Sequence, residues 1–153
     1  MQISFAGTPI VFLLLASCGT PQGSMSPVRE PVPNDLIFAT DLVRSLRASG
    51  VVVHSVRHSI WNGFFNATQK AAWIETDLGI VDVVFFPTKA DAQGIRITPA
   101  DNAAEGRFHY MVQEKPSSAA KLVDASRPLY FTINETQFLV TESRELDKVV
   151  KEL

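Results

Sequence analysis

Several common classes of function find little support in what this sequence contains. There is one cysteine among 153 residues, which excludes an internal disulfide framework and any thiolate zinc cluster. Neither sign of charge dominates: 14 Lys and Arg stand against 16 Asp and Glu, for a net charge of −2. Nucleic-acid binding through a basic face is therefore not expected. No apolar run reaches the ~20 residues that a membrane-spanning helix needs. There is no His-Glu-x-x-His, no Gly-x-Ser-x-Gly, no Walker pattern and no Gly-x-Gly-x-x-Gly, so no metal, catalytic or cofactor residue is assigned from motifs.

What is present is apolar. Hydrophobic residues make up 46% of the chain, ample for the core of one domain of this length. They are unevenly spread. Pro9-Ile10-Val11-Phe12-Leu13-Leu14-Leu15-Ala16 is a short, charge-free run with the length of a signal-peptide core, and it ends in small residues, as a cleavage site does. The segment Leu15-Ala16-Ser17-Cys18 resembles the lipobox of bacterial lipoprotein signals. That resemblance implies that residues 1–17 are removed and that Cys18, acylated on its thiol, becomes the N terminus. It departs from the usual pattern in one respect: residues 1–8 carry no Lys or Arg.

Residues 18–33 then read as a tether. Pro21, Pro27, Pro31 and Pro33 deny it a helix or a sheet ladder. Residues 34–153 read as a single domain. Asn34 or Thr40 is expected to cap a helix running to about Ser49, with Ala39, Leu42, Val43 and Leu46 as its apolar stripe and Gly50 as its stop. Strands are expected over 51–56, 71–76, 80–86, 107–112, 129–133 and 137–141, with a short edge at 95–98. Thr76–Gly79 and Asn134-Glu135 are expected to make tight turns. Thr88 and Ser143 are placed to cap helical segments. Lys121–Ala125 is read as a helical turn. Tight turns force antiparallel pairing, so the expected fold is α+β: one antiparallel sheet of five to six strands, with an N-terminal and a C-terminal helix packed on one face.

Taken together, the leader, the tether and this domain resemble a family of uncharacterised bacterial lipoproteins. The resemblance rests on the helix Leu42–Leu46 with Gly50-Val51-Val52-Val53, the pair Phe64-Phe65, the strand Val81–Phe86, and the closing stretch from Tyr130-Phe131 to Leu153. It implies an extracytoplasmic domain held on a bacterial membrane by its N-terminal lipid, and it carries no chemistry.

The residues themselves offer three clusters. His54, His58 and His109 lack ligand spacing and read as structural or surface residues. Glu75, Asp77 and Asp82 surround one hairpin. Asp82 interrupts an apolar strand and needs a buried partner, for which Arg96 or Arg107 is a candidate. Trp61, Phe64 and Phe65 are the candidate partner-binding residues, because aromatics in a glycine-containing loop can form an exposed patch. The expected function is non-catalytic binding of an envelope protein or a small ligand. The alternative is a secreted or envelope enzyme whose site no motif reveals.

Overall fold

The computed structural model describes residues 31–65, 70–100 and 106–153. The expected leader, Cys18 and all of the tether before Pro31 lie outside the described residues, as does Asn66.

The chain enters through a 3-10 helix, Asn34–Ala39, that runs directly into α1, Thr40–Ala48. Thr40 is the first residue of α1, and neither it nor Asn34 caps: the position before α1 is Ala39, whose methyl group can accept no hydrogen bond. Gly50 ends the helix at φ 85°, a left-handed conformation that favours glycine. Among the described residues, eight strands follow: β1 Val53–His58, β2 Lys70–Thr76, β3 Gly79–Phe85, β4 Arg96–Pro99, β5 Phe108–Gln113, β6 Lys121–Ala125, β7 Tyr130–Asn134 and β8 Gln137–Thr141. Two further helices are α2, Lys89–Gln93, and α3, Arg144–Lys151. Thr88 and Ser143 cap them as expected: their hydroxyls accept from the amides of Asp91 and Leu146.

The fold is α+β with antiparallel sheets, but the described residues form two sheets and not one. Five strands lie in the order β1-β2-β3-β8-β7, and three in the order β4-β5-β6. Lys121–Ala125, read from sequence as a helical turn, is the edge strand β6. Its residues alternate between half-buried and exposed, a period of two. The segment is too short for helical periodicity to be tested, and its pairing with β5 decides its conformation.

The two faces of the larger sheet feed two cores. Ala72 and Ile74 of β2, Val81 and Val83 of β3 and Leu139 of β8 share one core with Leu42, Val43 and Leu46 of α1 and with Leu146 and Val150 of α3. The alternate residues, Ala71, Val84, Phe138 and Val140, share the other core with Val112 of β5, Ala92 of α2 and Trp61 and Phe65 of the β1–β2 loop. Strand pleating puts successive side chains on opposite faces, so one run of β3 supplies both cores. Val32, near the end of the expected tether, packs against the first of them.

The hairpins obey local chemistry. Gly79 closes the β2–β3 turn at φ 127°, and a Cβ there would come within 3.2 Å of the Ser143 Cβ. Thr76 Oγ1 braces the turn, donating to the Gly79 carbonyl at 2.8 Å and accepting from the Leu78 amide at 3.2 Å. Glu135 takes the positive φ, 49°, in the β7–β8 hairpin.

Candidate functional site

Between the larger sheet and the β5–β6 side of the smaller one lies a cavity of about 350 Å3. Such a volume falls at the lower end of small-molecule pockets, roughly 300–1,000 Å3. Its apolar wall includes Trp61, Trp73, Ile80, Leu129 and Val140. Its charged groups are Asp82, Glu142, Arg107 and Asp124. Ile60 stands at the rim, 90% exposed.

Strand register explains how Asp82 comes to face the cavity. Asp82 lies on β3 between Trp73 of β2 and Val140 of β8. It shares a face with Val84, which belongs to the second core. The alternation that buries Val81 and Val83 under the helices therefore turns Asp82 toward the smaller sheet. Its partner is neither Arg96 nor Arg107. Ser59 Oγ donates to Asp82 Oδ1 at 2.5 Å, and the same hydroxyl accepts from the Trp61 amide at 3.0 Å. Ser59 is itself buried. It thus pins the aromatic loop to the middle of the sheet.

Arg96 donates to the Gln93 and Ile95 carbonyls. Arg107 makes a two-pronged bond to Asp124, Nε to Oδ1 at 2.9 Å and NH2 to Oδ2 at 2.6 Å. Among the described residues, no basic side chain forms an ion pair with Asp82. Burial pushes its carboxyl up to about 6 from the usual 3.8; the Ser59 hydrogen bond works in the opposite direction, and the nearby Glu142 charge raises it further. Asp124, by contrast, is held below the usual range by its hydrogen bond to Arg107.

The other carboxylates near the β2–β3 hairpin do not converge on the cavity. Glu75 accepts from Ser55 Oγ at 3.0 Å, and Asp77 accepts from the Val52 amide at 2.9 Å. Nor do the histidines gather. His58 bonds Asp35 at 2.6 Å on the surface, and His109 lies 3.3 Å from Asp124. Among the described residues, no three His, Cys, Asp or Glu side chains group as a metal site. No helix among them is long and apolar enough to cross a membrane.

The expected aromatic patch turns inward. Trp61 and Phe65 are 5% and 6% exposed. Their rings lie 5.6 Å from that of Phe138. Phe64 is half-buried and sits under Lys121 Nζ, 5.1 Å from its ring centre, while the same ammonium donates to the Phe64 carbonyl. Two of the three are buried, and Trp61 also lines the cavity. The burial has a simple cause: a loop rich in aromatics lowers its free energy by folding onto the open face of the sheet.

Sequence reasoning marked Asp82 as a polar interruption in need of a partner. It missed Glu142, Ser59 and the cavity wall. Ser59 lies in the β1–β2 loop, 23 residues before Asp82, and nothing local announces their meeting. Comparison with family models, with curated proteins and with solved structures returned no match.

Proposed function

We propose that this chain is a lipid-anchored extracytoplasmic domain of a bacterial envelope that binds a small ligand in the cavity between its sheets. The anchoring part rests on Leu15-Ala16-Ser17-Cys18. In this reading residues 1–17 are the leader, acylated Cys18 is the N terminus, and residues 18–33 hold the 34–153 domain off the membrane, as in the uncharacterised lipoprotein family that the sequence resembles. Each buried CH2 contributes ~0.8 kcal/mol, and stable attachment takes more than one chain.

One observation carries the binding part: a cavity of about 350 Å3 at whose wall Asp82 stands with, among the described residues, no basic partner. A carboxyl at the wall of an apolar cavity weakens the fold unless something there uses it. The inward rotation of Trp61 and Phe65 favours a small ligand over docking of a protein on the aromatic loop.

Two measurements test this reading. Mass spectrometry of the chain purified from bacterial membranes should show an N-terminal Cys18 carrying acyl groups, absent in Cys18→Ala. A mature chain that begins elsewhere, unmodified, overturns the anchor. Native mass spectrometry after incubation with a small-molecule extract of bacterial envelopes should show adducts that disappear in Ala125→Trp, because Ala125 lines the cavity and a larger side chain there fills it. Equal retention by a folded Ala125→Trp variant removes the cavity as the site.

A second reading is favoured by the same carboxyl. A group held near 6 is suited to general acid–base work near neutral pH, and an envelope enzyme would use Asp82 in that way. Release of the retained compound in altered form distinguishes it from simple binding.

A further inference from the structure

The charges around the cavity are not balanced, and the imbalance has one sign. Arg107 is the only basic residue at the cavity wall among the described residues. It is already committed to Asp124 through both of its prongs, and His109 adds a further contact to that carboxylate. Two carboxylates remain. Glu142 has Arg127 at 3.9 Å, beyond hydrogen-bond reach, and the two side chains are 40% and 74% exposed. Asp82 has a serine hydroxyl. The deeper acid lies between Trp73 and Val140, in an apolar setting.

We infer that the ligand of this cavity is a small organic cation, an ammonium or guanidinium carried on an apolar body, with Asp82 and Glu142 as its counter-charges. The inference rests on the cavity being a ligand site, as proposed above. A cation there would neutralise two like charges together and add a charged partner to the half-buried carboxylate, which has a serine hydroxyl. The walls suit the same chemistry. Trp61 and Trp73 present indole rings, whose faces attract cations. Trp73 already holds one: the Arg57 guanidinium lies 5.4 Å from its ring centre. Ile80, Leu129 and Val140 accommodate an apolar body, and Ile60 continues that surface outward at the rim. An anion would instead be placed against two carboxylates, with the one arginine already occupied.

Binding of such a cation should depend on pH. Asp82 must be ionised, so affinity rises as pH passes upward through about 6. The groups that face Asp82 are Ser59 from the loop, Glu142 after β8, and Arg107 and Asp124 across the cavity. On the sheet beside it, Glu75 is bonded to Ser55, and Arg57 lies over Trp73. Burial raises the Asp82 carboxyl toward neutral pH.

The test uses three probes of one shape: phenethylamine, phenylethanol and phenylacetate, titrated into the full chain in detergent. Intrinsic fluorescence is the readout, because the chain has 2 tryptophans, Trp61 and Trp73, and both line the cavity. Phenethylamine should bind, phenylethanol should bind about tenfold more weakly, and phenylacetate should not bind. Asp82→Asn should weaken the amine by about tenfold or more and abolish its pH dependence. Glu142→Gln, at the mouth, should weaken it by about threefold. Asparagine keeps the shape of aspartate and can still accept from Ser59, and a melting curve verifies that the variant is folded. If phenylacetate or phenylethanol binds at least as tightly as the amine, and Ala125→Phe, which narrows the cavity without adding a third indole, blocks it, the cation inference falls while the cavity reading stands. If Asp82→Asn leaves amine affinity and its pH profile unchanged, the cation inference also falls. If none of the three probes alters the fluorescence, both readings fall.

Discussion

Asp82→Asn should stabilise the protein by about 3 kcal/mol near pH 8 and leave it close to the wild type near pH 4. The carboxyl of Asp82 is raised from 3.8 to about 6, chiefly by burial. Folding therefore favours its protonated form. The stability this provides is fully present below 3.8 and is lost as pH rises through about 6. About two pKa units correspond to about 3 kcal/mol. Asparagine is neutral throughout and keeps the acceptor for Ser59, so the variant escapes the loss. Asp35, Asp91 and Asp124 work in the opposite direction. Hydrogen bonds from His58, Thr88 and Arg107 respectively lower their carboxyls, so their stabilisation is lost as pH falls. Those groups are the same in both proteins, and the difference between the two melting profiles isolates Asp82. Parallel profiles from pH 4 to pH 8 would show that partial burial does not raise the Asp82 carboxyl. Ligands matter here too: a cation bound beside Asp82 should raise the wild-type melting temperature at neutral pH and do little for the variant.

Phe138→Ala should cost about 4 kcal/mol, a fall in melting temperature of roughly 15 °C for a domain of this size. Phe138 is fully buried. Its ring meets Trp61 and Phe65 edge to face, each at 5.6 Å, and stacks on Phe131 at 6.0 Å. Phe131 in turn meets Tyr110 of the smaller sheet at 5.0 Å, and the Tyr110 hydroxyl accepts from the Leu129 amide at 2.9 Å. Phe138 thus stands where the aromatic loop, the larger sheet and the smaller sheet meet. Truncating it leaves a cavity that rigid strands on both sides cannot close. Tryptophan emission should shift to the red in the variant, because Trp61 loses a packing partner. Leu122→Ala, at a side chain 56% exposed, provides the contrast and should fall within about 0.5 kcal/mol of the wild type. Similar losses for both substitutions would mean that the second core does not hold the sheets together.

How legible each part was follows from the range of the forces involved. The caps at Thr88 and Ser143 and the glycines at 50 and 79 act within one turn of chain, and all four behave as their residue types suggest. The hairpins β2–β3 and β7–β8 were readable for the same reason. Lys121–Ala125 was misread because five residues carry no periodicity of their own, and a distant strand chose their conformation. Asp82 was visible as a polar break in an apolar strand. Its partner was not, since the two arginines named by charge complementarity found nearer acceptors: backbone carbonyls for Arg96 and Asp124 for Arg107. The burial of Trp61 and Phe65 was not legible either, because sequence shows the rings and not the open sheet face that they cover.

Local composition alone therefore determined the class of fold: antiparallel hairpins with helices at both ends, as alternating apolar residues, turn residues and caps dictate. The tertiary structure decided how many sheets those strands form, which core each side chain enters, and that Asp82 faces a cavity beside Glu142. The physical reason is that a strand's outer hydrogen bonds and its exposed face are satisfied only by remote segments. β3 finds β8 more than fifty residues later, and the groove left where the smaller sheet closes over that pair is a property of the packing and of no single stretch of chain.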